Sequence, residues 1–455
     1  MKRYDIIFLG GGGAAYPGAF YLASHGKKVL MMDPKGVLGG NCLYEGCIPS
    51  KVLFEAAKIR DREQALLDKG VKLTVNTPSY GDMVRYKDYI QNRRFRMHGE
   101  EVRMHGENLT FVKASGVMKD PHTVTVNGKE DVQGEYIVIS TGSKPHMPNI
   151  PGKENTITSH DLLKPGTAIQ DLPHDLIIIG GGYVGCEFAG IFSSLGTNVT
   201  LLDMMDRILP SAGKDAIGLL ERRLTEGGVS LKLGRRIMEI QKDGERRRVI
   251  TDNGSFEADH VVMATGRIPN LDGLENMNLE RGKLGELVTD EFMNVPKYEN
   301  IYATGDVNGK SMLFHAAVLM SRIAAVNILG NRRVEKFDPS NVPSAIYTDP
   351  QIGSVGISPV NASDGHIVKR YDLSMDSRDQ IEGMDEGFID LVAEKGSGRI
   401  VGAEVVGNDA DLLIGYIAQA VSSGLTLRDL SWIAAPHPTS LEAVGSLSRS
   451  MLDSM

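Results

Sequence analysis

Two of the three cysteines in this 455-residue chain stand five apart in Gly39-Gly40-Asn41-Cys42-Leu43-Tyr44-Glu45-Gly46-Cys47-Ile48-Pro49-Ser50-Lys51. That spacing permits one local redox disulfide. Pro49-Ser50, just after Cys47, is where a helix would start, and a helix N-terminus with Lys51 nearby favours thiolate at Cys47. Zinc would need two further ligands, and CxxxxC is not the usual finger spacing, so no metal is expected. Two inert, buried thiols are the plainer alternative. Cys186, in an apolar helical stretch, is expected to pack.

Glycine supplies the second signal. The chain has 52 glycines, about 11% against a typical ~7%, clustered at Gly10 to Gly13, Gly39-Gly40 and Gly180 to Gly182. Such clusters suit turns where backbone approaches a ligand, because only glycine tolerates positive φ freely. Gly10, Gly12 and Ala15 match G-x-G-x-x-A between a strand and a helix, with Asp33 ending the next strand. This arrangement sets backbone N–H groups and a positive helix end at a pyrophosphate, and a carboxylate at a ribose hydroxyl. Gly180, Gly182 and Gly185, with Asp203, repeat it. A carboxylate at Asp203 accepts a free 2′-hydroxyl and repels a 2′-phosphate, so NAD is favoured over NADP. Arg207, four residues on, could soften that repulsion.

Positioning these residues takes strand, turn, helix and strand twice over. Tyr4 to Leu9, Ala19 to His25 and Lys28 to Met32 make the first unit; Leu176 to Ile179, Glu187 to Leu195 and Asn198 to Leu202 make the second. This is a duplicated βαβ grammar rather than a short-period repeat. Apolar strands ending in small-residue turns follow at Tyr136 to Ile139 before Ser140-Thr141-Gly142, at His260 to Met263 before Gly266, and at Ile301 to Ala303 before Asp306. An apolar helix is expected from Phe314 to Leu329. Prolines at 145, 148 and 151, and at 339 and 343, mark seams. Beyond them Tyr347 to Ile357, Phe388 to Ala393 and Arg399 to Val406 read as strands, and Asp411 to Ser422 as a helix. The expected fold is α/β, with two Rossmann-like dinucleotide-binding domains and a C-terminal α+β domain. Its boundaries are 1–150 with 268–335, 151–267, and 336–455. Residues 63 to 107 give no clear pattern.

Length and composition bound the rest. At about 150 residues per domain the chain holds about three domains. Hydrophobic residues at 41% and charged residues at 24% argue against wholesale disorder and a multi-span membrane protein. Fifty basic against 58 acidic residues give a net charge of −8, with no global reason to bind nucleic acid or anionic membrane. The runs Arg93 to Arg96 and Arg246 to Arg248 read as solvated faces. The odd, low cysteine count is that of a reducing compartment. The apolar run Ile6 to Leu9 is too short for a signal peptide, so a cytoplasmic location is expected.

Together the CxxxxC segment, both glycine turns, Ile301-Tyr302-Ala303-Thr304-Gly305-Asp306 and Pro436-His437-Pro438-Thr439-Ser440-Leu441-Glu442 occur in an order that resembles the class I pyridine nucleotide–disulfide oxidoreductases, most closely the dihydrolipoamide dehydrogenases. The resemblance covers essentially the whole chain. It implies FAD in the first site, NAD in the second, and a homodimer whose C-terminal domain completes the partner's active site. It also implies that Cys42 is the interchange thiol, Cys47 the thiol beside the flavin, and His437 an acid–base group oriented by Glu442. Thiol–disulfide exchange does need a proton acceptor near pH 7. Lys51 and Glu187 match the ion pair beside the flavin. Gly116, Ser140, Thr141, Gly142, Asp306, Met312 and His315 are the further FAD positions implied, and Ile237 and Gly266 the further NAD positions. The implied substrate is a small dithiol or disulfide, a lipoyl group first, with a 2-oxoacid dehydrogenase complex as a macromolecular partner. The implied reaction is oxidation of dihydrolipoamide with NAD as acceptor.

Departures from the pattern are concentrated near the sulfurs. Relatives of this type have Thr, Asn and Val where this chain has Asn41, Tyr44 and Glu45, and a His where it has Ala435. The stretch Pro436 to Glu442 partly matches glutathione reductases, whose NADP-binding arginines are replaced here by Met204 and Pro210. The chain ends at Ser454-Met455 without the terminal cysteine pair of mercuric reductases. Two alternatives follow: NADH-dependent reduction of another low-molecular-weight disulfide, of glutathione or coenzyme A type, or of a metal ion; and a non-catalytic flavoprotein, which the intact cysteine pair, His437 and Glu442 disfavour.

Overall fold

The computed structural model describes residues 1–72, 79–383 and 386–455. The chain opens with β1 (Lys2–Leu9), α1 (Tyr16–Ser24), β2 (Val29–Asp33), α2 (Gly40–Glu45), α3 (Cys47–Asp68) and α4 (Tyr80–Met104). Next come β3 (Leu109–Lys113), β4 (Gly116–Met118), β5 (Thr123–Val126), β6 (Glu130–Ile139), β7 (Ser143–Pro145) and α5 (Ser159–Leu163). The second unit is β8 (Asp175–Ile179), α6 (Tyr183–Ser194), β9 (Asn198–Leu202), α7 (Lys214–Glu226) and β10 (Ser230–Lys232). It continues through β11 (Ile237–Asp243), β12 (Arg246–Thr251), β13 (Gly254–Ala258) and β14 (His260–Met263) to β15 (Arg267–Pro269).

Strands β3, β2, β1 and β6 lie parallel, with β5 and β4 extending the sheet antiparallel. Every residue of β2 is buried, so both faces are covered and the strand reads as a continuous apolar run rather than an alternating one. After the second unit the chain returns: β16 (Ile301–Ala303) pairs in parallel with β6, and α8 (Phe314–Gly330) packs its Met320, Ile323 and Ala324 against Ala19 and Leu22 of α1. The second unit has its own parallel sheet, β10-β9-β8-β14, beside the meander β11-β12-β13.

The C-terminal part is antiparallel, ordered β17 (Ser344–Ile346), β18 (Gln351–Gly356), β21 (Ile400–Gly407), β20 (Phe388–Glu394) and β19 (His366–Asp372). Helices α9 (Ser377–Glu382), α10 (Ala410–Ser422), α11 (Leu427–Ser431) and α12 (Leu441–Leu452) accompany it, and Leu413, Ile417, Val444 and Leu447 share a core with Leu391 and Val405. Among the described residues no helix is long and apolar enough to cross a membrane.

Several boundaries differ from expectation. Helix α1 starts at Tyr16 because Pro17 falls in its first turn, where no N–H is needed. The strand expected over Tyr347–Ile357 is shorter, β18 at Gln351–Gly356, since Pro350 before it cannot donate to a ladder, and β17 ends ahead of the expected range at Ile346. The unpatterned stretch after residue 63 contains the 25-residue α4, whose buried face includes the polar Lys87, Gln91 and His98 and so blurs the helical period.

Candidate active site

Helix α2 carries Cys42, and α3 begins at Cys47. Across this junction Cys42 is half-buried and Cys47 exposed. They hydrogen-bond one another. That bond holds Cys47 below the usual thiol range, and Lys51 adds to the effect. Cys42 moves the other way: it keeps its proton because it donates to Cys47, with burial adding to the rise. Cys42 thus holds its proton more tightly than Cys47, which stands at a helix N-terminus. Cys186 is fully buried, donates to the Gly181 carbonyl and has its thiol pushed up by burial, as expected of a packing residue.

Leu53, Phe54 and Ala57 of α3 share a core with Phe188, Ala189 and Phe192 of α6. This contact brings Lys51 to Glu187, 2.7 Å apart though 136 residues distant in sequence. The other Glu187 oxygen accepts the Tyr347 N–H at 3.1 Å, and the Lys51 ammonium stands 4.3 Å from the centre of the Tyr347 ring.

The first glycine turn meets three other segments. Gly10 has φ +127°, and a Cβ there would stand 2.2 Å from the Ser140 carbonyl oxygen. Gly12 faces the second glycine cluster, since a Cβ on Gly40 would be 2.7 Å from its Cα. Thr304, at the end of β16, donates to the Ala14 carbonyl at 2.8 Å, and the buried Ala15 leads into α1. Asp33 accepts the Gly11 N–H at 2.9 Å and the Lys35 N–H at 2.8 Å, and burial still pushes its carboxyl up. This cradle of bare backbone with a buried acceptor fits the pyrophosphate and ribose of a dinucleotide. Beside it, Thr141 donates to the Asn270 carbonyl, Gly142 has φ +73°, and Asp306 accepts from the Ser143 hydroxyl. Gly116 packs against Met32 and Leu9, Met312 is exposed, and His315 bonds the Pro343 carbonyl.

The second turn repeats the first. Gly180 has φ +115° against the Ala264 carbonyl, Gly182 precedes α6, and a Cβ on Gly185 would stand 1.8 Å from the Gly180 carbonyl oxygen. Asp203 accepts the Gly181 N–H at 2.5 Å and the Met205 N–H at 2.7 Å, the same pairing that Asp33 makes. Arg207 is turned to the Pro210 carbonyl. Gly266 (φ +98°) follows β14, which lies beside β8, and Ile237 starts β11.

At the C-terminus, Nδ1 of His437 lies 3.1 Å from a Glu442 oxygen that also accepts the Thr439 N–H at 3.0 Å. The Thr439 N–H and His437 hold the Glu442 carboxyl below its usual range. The His437 side chain is 73% exposed, and among the described residues no hydrogen bond or ion pair joins His437 or Glu442 to the cysteines.

Sequence reasoning missed what holds α2. Gln91 of α4 donates to the carbonyls of Leu43 and Tyr44, both at 2.9 Å. Glu45 is 5% exposed and meets Lys35 at 3.3 Å, His160 of α5 at 2.7 Å and Arg267 at 3.5 Å. Tyr44 and Glu45 were visible as unusual residues, but nothing in sequence signals partners 115 and 222 positions away.

Residues 4–321 match the family described as pyridine nucleotide-disulphide oxidoreductase, and residues 342–447 match the dimerisation domain of that family. The chain is 32% identical to a dihydrolipoyl dehydrogenase of Bacillus subtilis over 96% of each chain, and 30% identical to a mercuric reductase of Staphylococcus aureus over 97% of this chain and 81% of that one. Its fold is that of LpdA from Mycobacterium tuberculosis, with a TM-score of 0.89 at 24% identity, covering 99% of this chain and 100% of that one. The flavoprotein disulfide reductase RclA from Escherichia coli gives a TM-score of 0.87 at 24% identity, over 99% of this chain and 100% of that one. The paired cysteines, two dinucleotide turns and a C-terminal dimerisation domain thus sit on one chain, which belongs to the pyridine nucleotide–disulphide oxidoreductases, homodimeric enzymes that use FAD and NAD(H).

Proposed function

We propose that this enzyme oxidises dihydrolipoamide with NAD as acceptor, through Cys42 and Cys47. The observation that carries the reading is the placement of the pair: Cys42 lies on α2, Cys47 opens α3, and Lys51, one turn further on, pairs with Glu187 at 2.7 Å. The 32% identity to a dihydrolipoyl dehydrogenase over nearly the full length supports the choice of substrate.

In this reading the Cys42–Cys47 bond is the oxidised form. His437 of the second protomer, oriented by Glu442, takes the proton from one substrate thiol. The thiolate attacks the Cys42 sulfur and Cys47 leaves as thiolate. The second substrate thiol then displaces Cys42, which takes up a proton as the disulfide product departs. FAD bound at the first turn would supply the two-electron carrier between the cysteine pair and NAD. Gly10, Gly12, Ala15, Asp33, Ser140 to Gly142 and Asp306 would hold FAD. Gly180, Gly182, Gly185, Asp203, Ile237 and Gly266 would hold NAD, and Asp203 excludes a 2′-phosphate. Residues 1–150 with 268–335 form the FAD domain in this scheme, 151–267 the NAD domain and 336–455 the dimer interface. A lipoyl group carried by a 2-oxoacid dehydrogenase complex is the macromolecular form of such a substrate.

Replacing Cys47 by Ser tests the scheme. Dihydrolipoamide-linked NAD reduction should fall by about a thousandfold or more, as when a residue of a concerted catalytic unit is lost. A wild-type rate in Cys47→Ser contradicts the mechanism.

A further inference from the structure

The helix that carries Cys42 ends in a buried carboxylate whose partners come from three other parts of the chain. Lys35 follows β2, His160 lies in α5 and Arg267 opens β15; all three converge on Glu45. Lys35 also donates to Asn41 at 3.0 Å and stands 4.5 Å from the centre of the Tyr44 ring, so one ammonium touches both ends of α2. Arg267 continues outward, donating to the Ser143 hydroxyl at 2.8 Å and the Ser143 carbonyl at 2.9 Å, and that hydroxyl donates to Asp306. Asn41 closes the loop by donating to the same Ser143 carbonyl at 2.7 Å. A continuous polar chain therefore runs from α2 to Asp306.

We propose that Glu45 is a positioning residue for the redox pair, fixing α2, and with it Cys42, against the Asp306 side of the flavin site and against α5. The inference rests on the reading of Cys42–Cys47 as the redox pair. Burial alone would raise the Glu45 carboxyl, but Lys35, His160 and Arg267 hold it below its ordinary range, so it is ionised when it meets them. An ionised, buried hub with three donors fixes direction as well as distance, which a Val at this position could not do. Tyr44 stacks on His160 with ring centres 6.2 Å apart and belongs to the same clamp.

The test compares wild type with Glu45→Gln, which keeps the shape and loses the charge. Both are reduced anaerobically as holoenzyme, and the thiolate–flavin absorbance band is followed from pH 5 to 9. Displacing Cys42 should cut the amplitude of the band per flavin at least about twofold and lower kcat about tenfold, while KM for NAD stays within about twofold. Lys35 and Arg267, no longer offset, should move the midpoint of the band to lower pH. The pH dependence of thiol alkylation in the reduced protein should shift in the same direction. Should Glu45→Gln not fold, His160→Gln removes one donor from a half-exposed site and must move the same readouts, to a smaller extent. A band with wild-type amplitude and midpoint in both variants overturns the inference alone, even if thermal stability falls. Absence of the band in wild type overturns the reading of the cysteine pair, and the inference with it.

Discussion

Asp379 of α9 is 1% exposed and accepts the Ser440 hydroxyl at 3.1 Å, immediately before the helix that bears Glu442. Burial pushes its carboxyl up to about 7, against the pull of that hydroxyl and with the help of Asp376 and Glu382. A raised acid of this kind stabilises the fold fully below the unfolded value of about 4, and its contribution is lost as pH rises through about 7. Asp379→Asn keeps an acceptor for Ser440 and cannot ionise. Between pH 5 and 8 the wild-type melting temperature should therefore fall more steeply than that of Asp379→Asn. Parallel curves would show that folding does not raise the Asp379 pKa. Spacing alone does not announce this, because Asp376 and Glu382 are local but the hydroxyl that Asp379 accepts is 61 residues away. His437 and Glu442, five residues apart, form the opposite case, since their pairing is local enough to be read from spacing.

At the scale of elements, the two glycine turns are built alike, and each has a carboxylate 22 residues after the glycine whose N–H it accepts. Gly185 belongs to the second turn only. Adding a Cβ there drives it to 1.8 Å from the Gly180 carbonyl, so α6 must move off β8, an overpacking that costs about 1–3 kcal/mol. Gly185→Ala should therefore weaken NAD(H) binding about tenfold or more, by that same cost, while reduction by dihydrolipoamide in the absence of NAD proceeds as in wild type. Equal loss of both half-reactions would contradict the division of labour between the turns. These turns were legible because strand, glycines, helix and acid are all contiguous. The clamp on α2 was not, because Gln91 meets α2, and Glu45 meets His160 and Arg267, across 47 to 222 residues of sequence. The 25-residue α4 escaped notice because its buried polar face obscures the apolar period.

For the whole molecule, β16 returns to the first sheet after the second unit is complete, and α3 packs on α6, so Lys51 of the redox segment reaches Glu187 of the second unit. In the proposed mechanism His437, largely exposed on its own chain, serves a second protomer. Substrate identity is the part the fold leaves open, since relatives of similar identity are named for lipoyl and for mercuric chemistry. Anaerobic titration of the purified holoenzyme with dihydrolipoamide, set beside reduced glutathione and coenzyme A, decides it. One equivalent of dihydrolipoamide should raise the long-wavelength thiolate–flavin band, and NAD should then discharge it with formation of NADH. Failure of dihydrolipoamide to raise the band while another thiol does so would contradict the account.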